Sequence, residues 1–173
     1  TIDRAGEAEV NLVVSSVGLP VAKFLRERFG TPYVVGVLFG DTVSALLLGA
    51  LQKSIHTGEN EILPAGMPDA PDTVILGESV TSRSLAAALL LDYGLCAEVI
   101  CPVELPRELE GSFCRQIEDE QDLQAALSGA RRVIADPLFA PIMPQGAQFF
   151  PLPHEAYSGR IYRKQIPNLV TTW

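Results

Sequence analysis

Val10-Asn11-Leu12-Val13-Val14-Ser15-Ser16-Val17-Gly18-Leu19-Pro20, continuing through Phe24-Leu25 to Phe29-Gly30 and then Tyr33 to Phe39, is the stretch that decides the fold. Val10 to Val14 is a short apolar, β-branched run of the kind that forms a buried strand. Ser15 to Gly18 is a turn of small residues. Leu19 to Phe29 places Leu19, Ala22, Leu25 and Phe29 at helical spacing, with Pro20 suited to a first helical turn and Gly30 suited to a stop. The next apolar run, Tyr33 to Phe39, completes a strand–helix–strand unit with an expected right-handed crossover.

The same alternation continues downstream. Gly40-Asp41-Thr42 precedes an apolar helix predicted from Val43 to about Ile55, with Asp41 or Thr42 as N-cap and Gly58 at its end. Residues 59–71, rich in proline and acidic side chains, read as a linker. Thr73 to Leu76 then predicts a strand, Gly77 to Thr81 a turn, and Ser82 to Tyr93 a helix ended by Gly94. Further strands are predicted at Ala97 to Cys101, Arg132 to Ala135 and Gln148 to Leu152, with a helix from Asp119 to Leu127. Strands separated by helices specify an α/β, Rossmann-like, doubly wound and mainly parallel sheet in three α/β/α layers. The linker divides the chain into units 1–58 and 72–173.

Composition narrows the function. The 173 residues are 47% apolar, enough for a sizeable core, and carry a formal net charge of -8. So acidic a chain is a poor partner for a phosphate backbone or an anionic lipid surface, so neither nucleic acid nor membrane is an expected partner. Cys96, Cys101 and Cys114 have no framework spacing and predict reduced thiols in a cytoplasm. The chain opens Thr-Ile-Asp-Arg, without Met or a leader pattern, and is expected to be a piece of a longer polypeptide.

In a parallel sheet the polar strand-to-helix turns gather at the carboxyl edge, where open α/β sheets bind ligands. Four turns qualify: Ser15/Ser16/Gly18, Gly40/Asp41/Thr42, Gly77/Glu78/Ser79 and Asp136. His154 and Tyr157, in the mixed stretch Pro153-His154-Glu155-Ala156-Tyr157-Ser158-Gly159-Arg160, belong near the same edge. His154 has Glu155, Tyr157 and Arg160 as company, groups able to fix an imidazole tautomer or relay a proton. Each residue also has a structural reading: Ser15, Ser16 and Asp41 as caps, Gly18 as a tight-turn residue, Asp136 as a turn closer, and His154 as a core histidine. Nucleotide fingerprints of the Gly-x-Gly-x-x-Gly or Walker kind, zinc-ligand spacing and a Gly-x-Ser-x-Gly elbow are absent from the sequence. Cys96 and Cys101 would face opposite sides of one strand, which disfavours a shared metal.

Three stretches together resemble the nitrogenase component 1 family, which includes the nitrogenase α and β subunits, their cofactor-assembly homologues and protochlorophyllide reductase relatives. The first runs from Glu9-Val10-Asn11-Leu12-Val13-Val14-Ser15 through Gly18-Leu19-Pro20 to Phe29-Gly30-Thr31-Pro32-Tyr33. The second is Asp119-Glu120 with Asp122-Leu123, leading to Val133-Ile134-Ala135-Asp136-Pro137. The third is Leu152-Pro153-His154 with Ala156-Tyr157-Ser158-Gly159-Arg160. The resemblance implies the end of a middle Rossmann-like domain at 1–58 and most of a last one at 72–173. It further implies an oxidoreductase built around an iron–sulfur cluster or metallocluster, served by an ATP-dependent iron–sulfur reductase component and a paralogous or identical component 1 subunit. The family's cluster-binding cysteines lie in a first domain that this sequence does not contain. The stretch Arg160-Ile161-Tyr162-Arg163-Lys164 also lacks the histidine that binds cofactor in the molybdenum enzyme.

The expectation is therefore a C-terminal portion of a nitrogenase-like reductase subunit that helps wall a cavity. Ser15, Ser16, Gly18 and Asp136 are its candidate cofactor-contacting residues, and His154, a proton donor, and Tyr157 its candidate catalytic ones. A non-redox binding or assembly-scaffold module for a small anion or a tetrapyrrole is the alternative.

Overall fold

A computed structural model describes residues 2–64, 71–164 and 166–170. The chain forms two all-parallel sheets flanked by helices, a three-layer Rossmann-like α/β architecture. The first sheet has the order β1 (Asn11–Val13), β2 (Tyr33–Val35), β3 (Glu61–Ile62). The second has β6 (Cys114–Gln116), β5 (Ala97–Cys101), β4 (Thr73–Leu76), β7 (Arg132–Ala135), β8 (Gln148–Pro151). Its order turns back at β4, whose neighbours on the two sides are β5 and β7. That reversal opens the switch point of a doubly wound sheet at the carboxyl ends of β4 and β7.

Helix α1 (Leu19–Phe29) buries Leu19 and Ala22 and stops at Gly30, whose φ of 75° is the left-handed conformation a helix C-terminus uses. Helix α2 (Gly40–Thr57) buries Val43 and Leu47 and ends at Gly58 in the same way. It starts before the expected Val43. Asp41 lies within the first turn rather than capping it, because the extended backbone at Phe39 already starts the helix and the Gly40 N–H donates to the Leu169 carbonyl at 2.9 Å.

Within the 59–71 stretch read as linker, Glu61–Ile62 is instead a strand pairing with β2, while residues 65–70 lie outside the described ones. Helix α3 (Ser79–Tyr93) likewise begins three residues before the predicted Ser82, because Glu78 caps it. Its first ten residues include eight buried ones, mostly alanine and serine, and these small side chains let it pack between α2 and the second sheet. Cys114 begins β6, beside Val99 of β5. Helix α4 (Glu120–Leu127) is capped by Asp119, whose carboxylate accepts N–H bonds from Gln121 and Asp122.

One continuous apolar cluster runs through both halves, from Val34, Val43 and Leu47 to Val80, Leu85 and Val99. Removing a fully buried side chain of this size from water contributes roughly 1.5–3 kcal/mol. Polar ties reinforce the contact. Val37 N–H donates to Ser84 Oγ at 3.0 Å, and Arg83 reaches the carbonyls of Leu109 at 2.9 Å and Leu63 at 3.5 Å. No described helix is long and apolar enough to cross a membrane.

Candidate functional site at the carboxyl rim

The residues that organise the rim are two buried carboxylates. Glu78 follows the last strand turn of β4 and is 3% exposed. Its Oε1 accepts N–H bonds from Ser16 at 2.7 Å and Val80 at 3.2 Å, and its Oε2 accepts one from Thr81 at 3.0 Å. Burial alone would raise this carboxyl, but the N–H groups of Ser16, Thr81 and Val80 outweigh it and hold the group below the usual carboxylate range. A protein carboxylate thus fills the place at the N-terminus of α3 where an anionic ligand would otherwise sit.

Asp136 is the second, 2% exposed at the carboxyl end of β7. Its Oδ1 accepts from Leu138 N–H at 2.9 Å and its Oδ2 from His154 N–H at 2.8 Å and Ser158 N–H at 3.2 Å. It closes the turn after β7 and also clasps the 154–158 turn after β8. Burial again acts to raise the group. The N–H groups of His154, Leu138 and Ser158 overcome it, so the carboxyl is held low.

His154 joins the two. Its Nε2 lies 3.1 Å from Thr81 Oγ1, and its Nδ1 accepts the Ala156 N–H at 3.1 Å. An Nδ1 that accepts carries no proton, so the ring proton sits on Nε2 and points to Thr81. Both nitrogens are therefore engaged inside the protein, and the imidazole braces the β8 turn against α3. The bonds form one path: Ser16 to Glu78, Thr81, His154, Asp136 and Ser158. Gly159 makes this fold of the chain possible, since a Cβ there would stand 2.9 Å from the His154 carbonyl carbon.

Ser16, Asp136, His154 and Tyr157 are thus brought together. Ser15 is half-buried and makes no side-chain cap bond. Gly18 does not need to be glycine for the turn: its φ is -82°, and a Cβ would meet Val13 Cγ1 at an ordinary 3.6 Å. The Gly40 corner bonds Leu169 and takes no part in the path. Glu78, which the sequence offers only as one member of the Gly77/Glu78/Ser79 turn, is the central residue. A carboxylate directly before a helix that opens Ser79-Val80-Thr81 is the signal of a cap, but its bond to a residue 62 positions away is tertiary.

Two crevices open beside the path. One, of about 350 Å³, lies between the Ser16–Lys23 segment and the Val103–Glu108 loop after β5, bridged by the Lys23–Glu108 ion pair. The other, of about 430 Å³, lies between Pro102, the start of α4 and the 138–142 segment after β7. Tyr157 forms part of its wall, its ring edge-on to Phe139 at 5.3 Å between centroids. Both volumes fall in the range of small-molecule sites. Glu118 and Glu120 on the second and Glu104 and Glu108 on the first make the rim acidic.

The cysteines do not form a ligand set. Cys101 and Cys114 are buried with sulfurs 3.9 Å apart, and Cys96 stands half-buried beyond the other end of β5. The Cys101 thiol is pushed up by its bond to Cys114 and by burial. Cys114 is drawn down by that same bond, against burial and with help from Arg83. Among the described residues no cluster of three or more histidine, cysteine or acidic side chains is placed to hold a metal ion. Compared with family models, curated proteins and solved structures, the chain matches none.

Proposed function

We propose that this chain is part of a nitrogenase-component-1-like oxidoreductase subunit, and that its carboxyl rim walls the cavity of an ATP-dependent multi-electron reductase. The supporting observation is the hydrogen-bonded path that ties the carboxyl edges of the two sheets together, with a crevice of small-molecule size on each side of it. A rim so tied offers a fixed surface to a large planar substrate or to a metallocluster. The described residues do not supply a ligand set for such a cluster, so its ligands would come from elsewhere in the complex. Ser16 and Tyr157 face the crevices, whereas Asp136, Glu78 and His154 are positioning residues that hold the corners in place. The proposed partners are an ATP-dependent iron–sulfur reductase component and a second component 1 subunit.

The full-length polypeptide, purified without oxygen and mixed with a reductase component and ATP, tests this reading. Bound iron and sulfide with ATP-dependent substrate reduction would support it. A protein without iron that turns over nothing and binds a tetrapyrrole would support a non-redox scaffold instead. The acidic lining of both crevices favours a neutral or cationic occupant over a small anion in either case.

A further inference from the structure

We propose that the small cavity at the switch point is a binding site for one water molecule, held by the Tyr157 hydroxyl and the carboxylates of Glu78 and Asp136. The cavity measures about 20 Å³ and is walled by Gly77, Glu78, Thr81, Asp136, His154 and Tyr157 among others. About 10–15 Å³ suffices for one water, provided two to four polar partners converge on it.

The partners are present. The Tyr157 hydroxyl is shielded from solvent and has no hydrogen-bond partner among the described residues. Tyr157 shares the wall of this cavity with Glu78 and Asp136, and burial together with those carboxylates raises the proton affinity of the phenol. A buried hydroxyl left unpaired costs about 1–3 kcal/mol, so native interiors rarely keep one. Glu78 Oε2 and Asp136 Oδ1 each accept a single N–H, leaving a lone pair free on each.

The occupant must accept a hydrogen bond from a phenol and donate hydrogen bonds to two carboxylates, and water does both. Two ionised carboxylates exclude an anion. The N–H groups already bonded to each carboxylate offset its charge, which favours a neutral occupant over a cation. The water would join the half of the path anchored by Glu78 and Ser16 to the half anchored by Asp136, and it stands whichever reaction the rim serves.

Water oxygen-17 magnetic relaxation dispersion on the chain and on Tyr157→Phe, with urea unfolding of both, tests the site. The expected result is one fewer long-lived internal water in the variant and a folding equilibrium constant about tenfold lower. An unchanged water count, or a variant as stable as the parent or more so, would overturn it. Stabilisation of the parent by sodium or ammonium chloride over choline chloride at equal ionic strength would show a cation there and overturn it as well. If the variant does not fold, electron density of the parent decides. A water-sized peak within hydrogen-bond distance of Tyr157 Oη supports the site, and empty density refutes it.

Discussion

Changing Glu78 to Gln keeps the shape of the side chain and removes what the site uses. The carboxylate accepts N–H bonds from Ser16, Val80 and Thr81. The amide oxygen can retain one side of this set, Ser16 and Val80, but the NH₂ then faces the Thr81 N–H, donor against donor. The loss comprises one bond to a charged acceptor, worth about 1.5–3 kcal/mol, and the attraction of a carboxylate for a helix N-terminus, worth roughly 0.3–1 kcal/mol. The sum is about 2–4 kcal/mol, a large share of the roughly 5–15 kcal/mol that holds a domain folded. Urea unfolding followed by far-ultraviolet circular dichroism reads it as a lower midpoint at an unchanged slope. A Glu78→Gln midpoint equivalent to within about 0.5 kcal/mol of the parent, the range of ordinary surface substitutions, would refute the central role given to this carboxylate.

Acid should weaken the protein through the same groups. Glu78 and Asp136 are more acidic folded than unfolded, so their contribution is complete above the unfolded values near pH 4 and is lost as pH falls through the lower folded ones. Urea midpoints measured from pH 6 down to about pH 3 should drop at the acid end, and less steeply in Glu78→Gln or Asp136→Asn. Gly159→Ala should cost about 1–3 kcal/mol because the new methyl meets backbone at 2.9 Å, whereas Gly18→Ala should leave the thermal midpoint almost unchanged. A thiol reagent such as 5,5′-dithiobis(2-nitrobenzoate) should label half-buried Cys96 in the folded protein and reach Cys101 and Cys114 only after unfolding. Mass mapping of the labelled peptides distinguishes them.

Much of the architecture was legible because apolar runs bounded by glycine or proline carry their own limits. Thr73–Leu76, Ala97–Cys101 and Arg132–Ala135 are strands with the bounds that the sequence predicts, and Leu19–Phe29 is the expected helix. The failures are local patterns too weak to show. Cys114–Gln116 has one apolar residue in three and becomes a strand only because β5 offers an edge. Glu61–Ile62 is two residues long within an acidic, proline-rich stretch.

The rim was legible in part. The rule that polar corners of parallel sheets share an edge joined Ser16, Asp136 and His154 correctly. It did not reveal that both nitrogens of His154 are bound within the protein, because Thr81 and Ala156 reach them only after the chain folds back at Gly159. Nor did it single out Glu78, whose importance rests on the Ser16 N–H of the other sheet.

Amide hydrogen exchange at Ser16 tests most directly whether the two sheets meet in one hydrogen-bonded rim. This amide, in a short turn and bonded to Glu78 across the two sheets, should exchange as slowly as those of Val80 and Thr81, and Glu78→Gln should accelerate it. Exchange of the Ser16 amide at the rate of a free peptide in the parent protein would contradict it.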